Sequence, residues 1–180
     1  MNPAEGRMRT PLVVSLLVRG GLGLVAGLAV AGLQVFTALF PRTTAGTVLQ
    51  LFGGFVLLDG LITLGASLTR STPSDLWLRA QGGIGVAAGI VLVGSLQAMA
   101  PWVLFVIALW AIAAGVIELL VAGEMRRQYG VGTLTVSGVT SILFGLGSLA
   151  ARLGTLMGFV WLQAIYLIVV GIARIAAALR

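Results

Sequence analysis

An aromatic residue, four mainly apolar residues and a glycine recur three times along the chain, at Phe55 to Gly60, Trp110 to Gly115 and Tyr166 to Gly171. The closing glycines stand 55 and 56 residues apart. Periodicity on this scale constrains a fold more than local propensity does, because a copied unit must pack against its own copies. The segments before each phrase repeat as well: Gly20, Gly23 and Gly27, then Gly82, Gly85 and Gly89, then Gly138, Ser141 and Gly145. On a helix, positions i, i+3 and i+7 fall within about 60° of one another, so each triplet is a stripe of small residues. A neighbouring backbone can approach such a stripe closely, and in lipid that approach is a main source of helix packing energy.

The medium follows from composition. Hydrophobic residues make up 59% of the 180 and charged residues 9%, whereas soluble domains carry about 25% charged residues. The apolar runs are continuous, not alternating, which argues against a membrane barrel and for helices of about 20 residues as the spanning element. Breaks at Phe40 to Thr44, Thr69 to Asp75, around Ala100, Gly123 to Tyr129 and Arg152 to Gly154 divide the chain into six spans. Their expected limits are 11–39, 44–68, 77–99, 101–122, 131–151 and 155–179. Thr10-Pro11 reads as a helix start, with Thr as cap and Pro in the first turn, and Thr72 and Asp75 have the spacing of a capping box. The basic, apolar beginning resembles a secretory signal, but Arg19 interrupts it and a retained helix is expected.

The expected fold is an all-α membrane protein of one domain. Three two-helix hairpins, over about 11–70, 73–127 and 130–180, each pair a glycine-striped helix with a helix bearing the aromatic phrase. A unit with an even number of spans repeats in one orientation, so the hairpins should be parallel, with approximate threefold symmetry about the membrane normal. All eleven basic residues are arginine. Arg7, Arg9, Arg70, Arg79, Arg126, Arg127 and Arg180 would lie on one side and only Arg42 and Arg152 on the other, which places both termini in the cytoplasm.

The chemical inventory is thin. There is no cysteine and no histidine, which removes thiolate chemistry, the commonest metal ligand and the usual proton shuttle. No nucleophile and base pair or cofactor motif is visible, so neither enzymatic activity nor a cofactor or metal is expected. The glycine stripes lack the strand and phosphate-accessible helix start of a nucleotide-binding turn. Scattered arginines read as topology signals rather than a nucleic-acid surface. Phe55, Trp110 and Tyr166 are expected to fill a wedge between helices, and Trp77, Trp102 and Tyr129 to sit at the membrane interfaces.

Four charges fall inside spans, where an ionisable residue is a functional candidate. Glu118 and Arg174 occupy equivalent places, three residues after Gly115 and Gly171, with Thr63 as their counterpart. Arg19 precedes its glycine triplet, with Gln81 and Ser137 as counterparts. One reading is a polar layer with Glu118 paired to Arg174 or Arg19; the other has the arginines reaching to the headgroups along their stems. Asp59 stands apart near mid-span, too short to reach the interface. It suits a proton site or a structural carboxyl bonded through Thr63, Gln50 or Gln163. Gly60, Gly115 and Gly171, with the triplets, are expected to serve packing.

The glycine triplets, the turn at Phe40-Pro41, the phrase Val56 to Gly60 and above all Trp110-Ala-Ile-Ala-Ala-Gly-Val-Ile-Glu118 resemble the HdeD-like acid-resistance membrane proteins over nearly the whole chain. Two departures stand out: Arg152-Leu153-Gly154 replaces an aromatic-Pro turn in the third unit, and the first hairpin is longer than the others. The resemblance implies six spans in a bacterial inner membrane and a link to survival in acid, and it implies no catalytic residue. The alternative is a small channel or transporter moving protons or a small solute past Asp59 and the layer of Glu118, Arg174 and Arg19. The bilayer is the one partner expected; no nucleic-acid partner is, no ligand is indicated, and homo-oligomers through leftover small-residue faces stay open.

Overall fold

The computed structural model describes residues 3–39, 45–68, 74–95, 101–124, 131–150 and 156–179. These form six helices: α1 (Pro3–Leu39), α2 (Ala45–Leu68), α3 (Ser74–Gly94), α4 (Pro101–Glu124), α5 (Val131–Ala150) and α6 (Leu156–Ala178). Five contain stretches long and apolar enough to cross a bilayer: Val14–Val35, Thr47–Leu68, Asp75–Gly94, Trp102–Glu124 and Phe159–Ala176. The apolar part of α5, Leu134–Ala150, is shorter.

Two helix limits differ by five residues or more from those read off the sequence. α1 runs through Thr10-Pro11 and begins at Pro3, which supplies the same first-turn chemistry earlier in the chain. α3 stops at Gly94 instead of near Met99. Ser95 donates to the Leu92 carbonyl from both its backbone N–H, at 3.4 Å, and its hydroxyl, at 2.8 Å. Glycine disfavours helix and a serine hydroxyl competes for backbone acceptors, so the pair ends the element. The Phe40-Pro41 turn, Thr72, Tyr129 and the arginines at 42, 70, 126, 127, 152 and 180 lie outside the described residues.

Each helix packs on its chain neighbours and α1 closes on α6, making a ring. The most extensive pairings are α2 with α3, α4 with α5, and α1 with α6. These join the phrase-bearing helix of one repeat to the glycine stripe of the next. The two helices of a single repeat pack less closely. The reason lies in the glycines: an imagined Cβ on Gly60 would stand 2.6 Å from Val86 N, one on Gly115 2.5 Å from the Gly138 carbonyl oxygen, and one on Gly171 2.8 Å from Leu24 N. A small-residue stripe gains most against another small residue, where backbone meets backbone. Gly20 lies against Gly171 and Ile175, and Gly27 against Leu167 and Ile168, so α1 and α6 run antiparallel. The remaining stripe glycines, Gly23, Gly82, Gly85, Gly89 and Gly145, are in the same kind of contact with their partner helices.

The interior combines apolar and polar side chains while the outside is mainly apolar. Phe52, Val56, Ile107, Ala111, Gln163 and Leu167 are buried at repeating positions of α2, α4 and α6. Phe52 meets Trp110 edge-on at 5.8 Å and Phe144 at 5.7 Å, Trp110 meets Tyr166 at 6.4 Å, and Phe144 stacks on Tyr166 at 4.2 Å. Phe55 joins through Phe52 at 6.4 Å. Large apolar residues such as Val25, Leu28, Leu109, Leu143 and Ile165 point outward, more than half exposed. Arginines inside and leucines outside are the arrangement that hydrocarbon, not water, stabilises. Trp77 and Trp102, in the first turns of α3 and α4, are exposed as interfacial aromatics would be.

Candidate functional site

The repeat register and the ring closure together converge the intramembrane charges. Arg19 of α1, Asp59 of α2, Glu118 of α4 and Arg174 of α6 are all buried. Arg19 grips the Asp59 carboxylate with two parallel bonds, Nε to Oδ1 at 2.8 Å and Nη2 to Oδ2 at 2.9 Å. Arg174 bridges the two acids, donating from Nη1 to Asp59 Oδ1 at 2.8 Å and from Nη2 to Glu118 Oε1 at 3.0 Å. Gln81 of α3 adds a longer bond, Nε2 to Glu118 Oε1 at 3.3 Å. Two guanidinium groups face two carboxylates, so the ionised layer is neutral.

Asp59 is therefore no isolated carboxyl, and Arg19 and Arg174 both turn inward to carboxylates of the bundle. Arg174 lies one turn further along its helix than the Val170 position that corresponds to Asp59, about 6 Å in rise. An arginine stem spans that interval by turning inward. The partners named for Asp59 from sequence lie elsewhere. Thr63 Oγ1 donates to the Asp59 backbone carbonyl at 2.6 Å, not to its carboxylate; Gln50 is exposed; and Gln163 is buried with neither polar side-chain atom bonded among the described residues. Removing two charges from water costs several kcal/mol per ion in a low-dielectric interior, and bidentate geometry is what offsets it.

The layer has unfilled capacity. Glu118 Oε2, Gln81 Oε1 and Ser137 Oγ are buried without a hydrogen-bond partner among the described residues. Ser137 belongs to α5, whose Gly138 abuts Gly115 and Leu119, the residue that follows Glu118. Above this level the aromatic cluster begins, and Tyr166 OH and Ser141 Oγ lie 3.2 Å apart. Ser141, in the glycine stripe by position, thus also links α5 to α6. Gln81 and Ser137 were legible only as register counterparts of Arg19; nothing in the sequence marks Gln81 as a carboxylate ligand. Among the described residues no group of three or more His, Cys, Asp or Glu side chains could hold a metal ion.

An apolar exterior, a ring of long helices and a buried ionic layer define a multi-pass membrane protein built from internal repeats. The chain matches the family described as a short repeat of unknown function, DUF308, over residues 80–150 and again over 136–180. The two matches together span more than half of the chain, and it belongs to that family. No curated protein and no solved structure matches it.

Proposed function

We propose that the chain is a non-enzymatic bacterial inner-membrane protein of the HdeD-like kind that contributes to tolerance of acid or related stress. In this reading all six helices span, the three repeats are related by approximate threefold symmetry about the membrane normal, and both termini are cytoplasmic, as the arginine bias favours. The supporting observation is the neutral quartet of Arg19, Asp59, Arg174 and Glu118, which ties four helices together at one level. Such a layer gives a membrane bundle a charge-dependent clasp. A strain lacking the gene should survive acid exposure less well than its parent, and the intact gene should restore survival where an Asp59→Asn copy does not. Equal survival of the deletion strain and its parent across pH would overturn the stress role.

A second reading, conduction of protons or a small solute, draws on the unpartnered oxygens of Glu118, Gln81 and Ser137 beside the charges. Reconstituted protein would then dissipate a pH gradient across liposomes, and Glu118→Gln would slow it. Gradients as long-lived as those of empty liposomes would eliminate that reading.

A further inference from the structure

The two carboxylates of the layer are held unequally. Asp59 accepts three guanidinium bonds of 2.8 to 2.9 Å over both oxygens. Glu118 accepts one at 3.0 Å and one amide bond at 3.3 Å, both on Oε1. Its Oε2 and the Oε1 of Gln81 are both buried acceptors with no partner among the described residues, although Gln81 already bonds the same carboxylate through Nε2. Two acceptors cannot satisfy each other. One proton on Glu118 Oε2 makes it a donor, and an acid facing a primary amide closes a ring: amide N–H to acid oxygen, acid O–H to amide oxygen. The first of these bonds is already in place.

We propose that Glu118 and Gln81 form a proton-binding site, in which a proton taken from water binds Glu118 Oε2 and is donated to Gln81 Oε1. The groups facing Glu118 set what happens next. α6 presents Arg174 and Tyr166, and Arg174 in turn joins Glu118 to Asp59 of α2, which Arg19 of α1 holds. α5 carries no titratable residue and contributes Ser137, while Arg79 of α3 is exposed and points to the Ser67 carbonyl at 3.4 Å. Proton uptake leaves Arg19 and Arg174 opposite Asp59 alone. The site satisfies two orphaned acceptors and in return removes part of Arg174's counter-charge, so its occupancy loosens the hold of α6 on α4. The inference rests on the layer being the acid-responsive element of the proposed function. Its own test is read on purified protein, so a strain without a phenotype and a site that takes no proton are separable failures.

Infrared difference spectra of the protein in lipid nanodiscs, recorded between neutral and mildly acidic pH, report protonated buried carboxyls directly. A carboxylic C=O band should appear on acidification, move when glutamate is carbon-13 labelled, disappear in Glu118→Gln and shift in Gln81→Met. Where Glu118→Gln fails to fold, the shift of the labelled band in Gln81→Met tells Glu118 from Glu5 and Glu124, the other glutamates of the chain. A band insensitive to glutamate labelling, a band retained in Glu118→Gln, or no band while the protein stays folded would each overturn the proposal.

Discussion

The glycine seams and the ionic layer occupy neighbouring levels of one bundle and obey opposite rules. At the seams the three copies agree: Gly60 against α3, Gly115 against α5 and Gly171 against α1 make the same backbone contact. In the layer they diverge: Thr63, Glu118 and Arg174 share one register position, and Arg19, Gln81 and Ser137 share another. Packing wants the same residue in every copy because each seam is the same problem. Charge cannot be copied that way. Three arginines at one level would repel without counter-charge, so a buried ionic layer in a repeat protein requires the copies to differ.

Substitutions that separate the two rules should follow in a definite order. Asp59→Leu strands Arg19 and leaves two guanidinium groups against one carboxylate, and should lower stability by about 3–5 kcal/mol in unfolding from detergent or nanodiscs. Glu118→Gln keeps the shape and an acceptor for Arg174 but removes the anion that balances it, for a loss of roughly 1.5–3 kcal/mol in the same assay. Gly60→Ala presses a methyl group on the α3 backbone and should cost about 1–3 kcal/mol, with Gly115→Ala and Gly171→Ala falling in the same range if the seams are equivalent. A spread wider than that range among the three would mean that the ring closes unevenly. Gly65, with nothing within 4 Å of an added Cβ, is the control. Gly65→Ala should gain about 0.5–1 kcal/mol from helix propensity alone.

Much of this was legible from residue order, for reasons that differ by feature. The helices were readable because apolar runs and polar breaks alternate sharply, and α2, α4, α5 and α6 begin and end within a few residues of the expected limits. The stripe glycines were readable because spacing alone defines a helix face. Their partners were not: nothing in Gly82, Gly85 and Gly89 says whether they face α2 or α4, and only their contacts with Leu57, Gly60 and Leu64 pair them with the preceding repeat. The four charges were readable as intramembrane residues. The pairing of Asp59 was missed because depth along a helix locates a backbone, whereas Arg19 and Arg174 act at the far end of a long stem. Gln81 was missed as a ligand because an amide becomes one only through the carboxylate that faces it.

The central claim is that the layer acts through charge balance, and a neutral deletion tests it most directly. Arg19→Leu combined with Asp59→Leu leaves Arg174 opposite Glu118, one cation to one anion, whereas either single substitution leaves the layer charged. Unfolding measured on the two single variants and the double variant should show the double variant recovering most of the stability lost in Asp59→Leu. A double variant as unstable as the sum of its two single substitutions would contradict the account.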